Sequence, residues 1–172
     1  MTKIQLAGAA MAGLMAASLG GCTPPPKAAA PAADTGKIAD TIKADVAATV
    51  AAINAHDGPK AVTHDAPDVL VMFHGEPNLV GPAADLKGFQ QFLAVSPDAQ
   101  MSIADETVDV AASGDMAIDR STYTFDFTDP KTKKKVTETG NNIWAYKLQP
   151  DGTWKIAWSV ASDTPATAAA KN

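Results

Sequence analysis

The 172-residue sequence predicts an α+β domain in which helices precede an antiparallel sheet. Three observations carry that reading. Ile38, Ile42, Val46, Val50 and Ile53 form one apolar stripe at helical spacing. From Gln100 onward the apolar period changes from 3.6 to 2. Val136 to Val160 then reads as a hairpin that holds all three Trp and one of the two Tyr. The length suits one domain. A formal charge of −5 argues against a nucleic-acid partner, because phosphate is met by a basic face. The single Cys excludes an intramolecular disulfide and a thiolate metal cluster.

The chain opens as an export signal over residues 1–21. Lys3 gives the positive start, and Ile4 to Leu19 is an apolar, Ala-rich run. That run is shorter than the roughly 20 apolar residues a membrane helix needs. It ends in Leu19-Gly20-Gly21-Cys22, which resembles the bacterial lipobox. The resemblance implies cleavage before Cys22, lipidation of its thiol and anchoring in the cell envelope. Thr23 in place of Asp after the Cys implies sorting to the outer membrane, facing the periplasm. Residues 22–35 are a Pro- and Ala-rich linker, and residues 165–172 are a disordered tail. The folded domain is expected over residues 36–164.

Within that domain, Asp34 or Thr35 caps the first helix, and Gly58 and Pro59 are expected to end it. A short second helix is expected from Lys60 to Asp65. Val69 to Phe73 is a buried strand, and Leu79-Val80 returns beside it. Pro82 opens a helix with Leu86, Phe89, Phe92 and Leu93 as its buried stripe. Met101–Ala111 and Met116–Thr128 are strands joined by Ser113-Gly114-Asp115. In the second of them Tyr123, Phe125 and Phe127 share one face, while Arg120, Thr122, Thr124 and Asp126 share the other. The Lys-rich loop 129–135 is solvated. In the final hairpin Pro150 and Gly152 make the turn. Asn142, Trp144, Tyr146 and Leu148 are expected on one face, and Trp154, Ile156, Trp158 and Val160 on one face of the last strand.

This element order resembles the cone-shaped barrel shared by nuclear transport factor 2, ketosteroid isomerase and SnoaL. The stretch Trp144 to Ile156, with its Asp151-Gly152 turn and Trp154-Lys155-Ile156 strand, is similar to the SnoaL-like branch. The resemblance implies a curved sheet wrapped on the N-terminal helices, a conical pocket between them, and a homodimer formed through the sheet. One stretch departs from the branch. An Asp and then an Asn often follow Trp-Lys-Ile there, whereas Ser159 and Ser162 stand near those positions here.

Three functions follow as expectations. The first is non-catalytic binding of a small apolar ligand, or self-association. Tyr123, Asn142, Trp144, Tyr146 and Trp158 would line the pocket, as aromatic walls with a few polar handles. The second is a lyase or isomerase using general acid/base catalysis, with His74 or Asp126 as base and Asp119 and Tyr123 as further candidates by type. That reading gains if His74 and Asp126 converge on one apolar cavity, and loses if aromatic rings close the cavity. The third is a structural module of the envelope, with an exposed apolar patch on the sheet. No cofactor motif is present. His56, His64, Asp65 and His74 follow no metal-ligand spacing, and there is no phosphate loop or nucleophile elbow.

Overall fold

The computed structural model describes residues 32–164. The expected signal segment, Cys22, the expected linker up to residue 31 and the expected C-terminal tail lie outside the described residues. No described helix is long and apolar enough to cross a membrane.

Helix α1 spans Thr35–Asn54, and the Asp34 carboxylate caps it by accepting from the Lys37 amide at 3.1 Å. Its buried line is Ile42, Val46, Thr49 and Ala52, with Ile38 and Val50 half-buried beside it. The stripe expected at four-residue steps turns away, because four residues advance the helix by more than one turn of 3.6. The inward face therefore moves from Val50 to Thr49. The helix ends at Ala55, and His56, not Gly58, takes the left-handed position, with φ 57°. Gly58 instead starts α2 (Gly58–Ala61), capped by Asp57. A Cβ at Gly58 would lie 2.7 Å from Leu86 Cδ1, so a larger residue there needs the Leu86 side chain to swing aside.

The sheet has six strands in the order β2-β1-β6-β5-β4-β3 and is curved and unclosed. These are β1 (Asp65–Phe73), β2 (Leu79–Val80), β3 (Gln100–Val110), β4 (Met116–Thr128), β5 (Lys135–Leu148) and β6 (Trp154–Asp163). All neighbours run antiparallel except β1 and β6. Helix α1 packs across β3 and β4, and α3 (Pro82–Val95) packs on β1 and β2. No residue of α3 is fully buried, so its expected stripe is only half covered. Phe92 meets Phe125 and Phe127 edge-on, at centroid distances of 5.3 and 5.8 Å.

The core is Ile42 and Val46 from α1, Val69 and Val71 from β1, Ala117 from β4, Trp144 and Tyr146 from β5, and Ile156 from β6. The C-terminal hairpin thus supplies much of it. Its turn holds Gly152 at φ 84°, where only glycine is unstrained.

Two bulges decide which side chains face inward. In β3 the pairing shifts between Ala104 and Thr107, with Asp105 at φ 54°. Ile103 points to the concave side before the bulge, and Glu106, Val108 and Val110 do so after it. In β6, Tyr146 pairs with Ile156 but Ala145 pairs with Trp158, leaving Ala157 as the extra residue. Trp154 and Ile156 therefore face inward, while Trp158 and Val160 face outward. The expected single face for those four residues is split by the bulge.

Candidate functional site

The concave face is built from alternate residues of β4 and β5. Ala117, Asp119, Ser121 and Tyr123 lie buried along β4. Their partners across the ladder are Tyr146, Trp144, Asn142 and Gly140. Trp144 Nε1 donates to Ser159 Oγ at 2.9 Å on β6, which fixes the indole against the sheet. Tyr123, Asn142, Trp144 and Tyr146 thus share one face. Trp158 does not join them. It is 41% exposed on the outer face, with Lys147 Nζ 4.8 Å from its ring centroid.

Asp119 and Tyr146 occupy the deepest part, each 0% exposed. Asp119 Oδ1, Glu106 Oε1, Asn142 Nδ2, Tyr146 Oη and, from α1, Thr49 Oγ1 have no hydrogen-bond partner among the described residues. The other oxygen of Asp119 receives only a long bond from Ser121 Oγ, at 3.5 Å. Burial pushes the Asp119 carboxyl up to about 7, and the nearby Glu106 charge adds to that. Ser121 and Lys43 act against the rise. Burial also raises the Tyr146 phenol well above its ordinary value, and the carboxylates of Asp45, Asp119, Asp65 and Glu106 raise it further. Four acidic side chains from four elements therefore act on one unpartnered hydroxyl.

Asp65 extends this acidic interior. It sits at the start of β1, with Oδ2 unpartnered among the described residues. Burial and its contact with Asp85 of α3 bring its carboxyl to about 7, against the pull of Lys155. Burial raises Asp85 as well. His64 Nδ1 lies 3.3 Å from Asp45 Oδ2. No group of three or more His, Cys, Asp or Glu among the described residues is arranged to hold a metal ion.

The other end of the concave face is satisfied. Tyr123 Oη donates to Glu138 Oε1 at 2.6 Å, and His74 Nε2 stands 4.0 Å from Glu138 Oε2. Burial, followed by the Glu138 and Asp163 carboxylates, raises the Tyr123 phenol. His74 and Asp126 do not converge. Asp126 faces outward and accepts from Thr137 Oγ1 at 2.5 Å, while His74 lies beside Glu138. The two remaining histidines are also engaged: His56 Nε2 meets Ala99 O at 2.9 Å, and His64 meets Asp45.

Sequence reasoning reached Asp119 by residue type alone and passed over Glu106, Glu138, Thr49 and Asp45. A signal for Glu106 was present. Ile103 is odd-numbered, while Val108 and Val110 are even, and that change of parity marks a bulge which turns Glu106 inward.

A model of the SnoaL-like domain matches residues 46–167. The chain belongs to the SnoaL-like family. Solved structures share the SnoaL-like fold. A hexachlorocyclohexane dehydrochlorinase of LinA type 3 from Novosphingobium barchaimii LL02 superposes with a TM-score of 0.68 at 12% identity, over 80% of this chain and 92% of that one. A nuclear transport factor 2-like superfamily protein from Salmonella enterica gives 0.67 at 12% identity, over 80% and 99%. A ketosteroid isomerase-like protein from Erwinia carotovora gives 0.63 at 21% identity, over 74% and 96%. No curated protein is significantly similar to the chain.

Proposed function

We propose that this SnoaL-like domain binds a small molecule between α1 and the concave face of the sheet, with polar groups of the ligand at Asp119 and Tyr146 and, further along β5, at Asn142. One observation carries the reading. Five buried polar atoms on that face and on α1 lack partners among the described residues. An unpartnered buried polar atom costs about 1–3 kcal/mol, and folded proteins hold few of them. Five in one interior suit a place where ligand or water completes the bonds. Trp144, with Ser159 behind it, supplies an apolar wall. The ligand is then apolar along the rings and polar at its buried end.

Native mass spectrometry of the chain purified from its host tests this. A bound small molecule is expected, and Asn142→Leu should weaken its retention. Absence of any adduct, together with unchanged Trp fluorescence on titration with extracts of the host envelope, overturns it.

A catalytic version has its own support. A carboxyl at about 7 in a buried site is suited to taking a proton near neutral pH. The base would then be Asp119. The placement of Asp126 on the outer face gives it no route to His74 or to this interior. Turnover of the bound molecule that disappears in Asp119→Asn would establish the enzyme.

We also propose that Cys22 carries the lipid that holds the domain at the envelope, on the strength of the lipobox-like Leu19 to Cys22. Loss of membrane partition in Cys22→Ser tests it. A second copy of the chain suits the outer face of the sheet, where Leu70, Met72, Trp158, Val160 and Ile143 form an apolar row across three adjacent strands. Sedimentation of a dimer, converted to monomer by Trp158→Glu, is the expected result.

A further inference from the structure

The interior is acidic as well as unsatisfied, and the two facts together constrain what can occupy it. The orphaned atoms are not an even mixture of donors and acceptors. Asp119 Oδ1, Glu106 Oε1 and Asp65 Oδ2 are carboxyl oxygens. When ionised, each is completed only by a donor. The hydroxyls of Tyr146 and Thr49 can accept as well as donate. Only Asn142 Nδ2 is a donor alone. The empty valences therefore call mainly for N–H or O–H groups.

Charge points the same way. Asp45, Asp65, Glu106 and Asp119 all act on the Tyr146 hydroxyl. Asp85 lies against Asp65. Among the described residues, the cations that face these groups are few and already occupied or remote. Lys43 is exposed on α1 and reaches Asp119 only through its field. Lys155 donates its ammonium to Thr63 O at 2.6 Å. His64 is paired with Asp45. An anionic ligand would meet like charge here, and a neutral one would leave carboxylates buried without a counter-charge. The acids come from α1, β1, β3 and β4 and are not gathered closely enough for a metal ion.

We infer that the ligand carries a protonated amine, seated among Asp119, Glu106 and the Tyr146 hydroxyl. This rests on the proposed binding site and names its ligand class. An ammonium offers only donors, and it brings the positive charge that the site lacks. The rest of the molecule lies along Trp144, whose ring face also favours a cation nearby. Asn142 Nδ2 is left as the handle for an oxygen on the ligand. Without a ligand, protons serve as the counter-charge on Asp119 and Asp65, and a bound amine displaces them.

Three probes of one shape and three charges separate the possibilities: phenethylamine, 2-phenylethanol and phenylacetate. Their affinities for the purified full chain are measured by isothermal titration at pH 8 and pH 5.5. The amine should bind at least tenfold more tightly than the alcohol at pH 8, where Asp119 and Asp65 are largely ionised. That ratio should shrink at pH 5.5, where Asp119 and Asp65 are already protonated. Asp119→Asn and, separately, Glu106→Gln should bring the amine-to-alcohol ratio within threefold at pH 8. Two variants are used so that a folding defect in one leaves the other informative. If the alcohol or the acid binds as tightly as the amine, or if neither variant changes the ratio, the amine inference is overturned and the binding site stands. If none of the three binds, both are overturned.

Discussion

The two tyrosines of the concave face have opposite circumstances. Tyr123 gives its hydroxyl to Glu138 at 2.6 Å, and its ring lies against Gly140. Tyr146 is more deeply buried, its hydroxyl has no partner among the described residues, and four carboxyl groups act on it through space. Both are buried phenols on adjacent strands. The Tyr123 end has complete bonds and no room, which is how a structural contact is built. The Tyr146 end has incomplete bonds and surplus negative charge, which disfavour an empty folded state. A fold keeps such a defect where something outside the chain can fill it.

The harshest way to break the comparison is to crowd the Tyr123 end. A Cβ at Gly140 would press into Ser162 O on the next strand and into the Tyr123 ring. Gly140→Ala should therefore cost about 3 kcal/mol, the upper range for overpacking, because a backbone oxygen cannot swing aside. Urea denaturation measures it. A loss below about 0.5 kcal/mol would mean that this end has slack, and the contrast between the two ends would fail.

Acidity probes the Tyr146 end. Asp119 has an ordinary value of 3.8 and stands at about 7 in the fold, so the folded state holds its proton more tightly than the unfolded chain does. The stabilisation from that proton is full below about pH 4 and is lost as pH rises through 7. Asp65 works in the same direction, and its raised neighbour Asp85 adds to it. Asp57, Asp98, Asp129 and Asp151 are lowered and act in the opposite sense, but only below about pH 4. The ligand-free chain should thus be more stable at pH 5 than at pH 8. Asp119→Asn removes the buried charge and should recover about 2 kcal/mol at pH 8 and much less at pH 5. Melting curves at the two pH values decide it. An equal change at both would show that the Asp119 carboxyl is not held neutral by burial.

Removing each phenol oxygen gives a smaller effect with a difference of sign. Tyr123→Phe breaks a charge-assisted bond and leaves Glu138 short of a donor, so it should cost about 1.5 kcal/mol. Tyr146→Phe deletes an unpartnered hydroxyl and should stabilise the ligand-free chain by about 1 kcal/mol. It should weaken ligand binding as well. Destabilisation by both changes would place a bonded water or side chain at Tyr146 and blunt the contrast.

Much of this was legible in the sequence, and the reasons for the rest are specific. Alternation put Tyr123, Phe125 and Phe127 on one face of β4, and the same parity carries Asp119. The Asp151-Gly152 turn fixed the pairing that sets Asn142, Trp144 and Tyr146 inward. Alternation states a face and not a depth, so it could not rank Asp119 above Asp126. The bulge at Ala157 reversed Trp158, because one inserted residue flips every side chain after it. The acidic interior was illegible for a different reason. Asp45, Asp65, Glu106 and Asp119 are far apart in the chain, and only the wrapping of the sheet on α1 brings their charges onto one hydroxyl.

The mildest test concerns His74, the residue type most suggestive of chemistry. Its ring is 40% exposed and 4.0 Å from Glu138, a separation at the limit for an ion pair. An exposed pair of this kind contributes at most about 0.5 kcal/mol, so His74→Ala should leave stability nearly unchanged. Glu138 keeps its stronger partner, Tyr123, and the end stays closed. Binding should also hold within threefold if the ligand sits at Asp119, since the two ends are four residues apart on β4, about 13 Å along the strand. A tenfold loss of affinity in His74→Ala, with stability intact, would extend the site along the whole concave face. The bonded Tyr123 end would then be the entrance to the unsatisfied one rather than its structural counterpart.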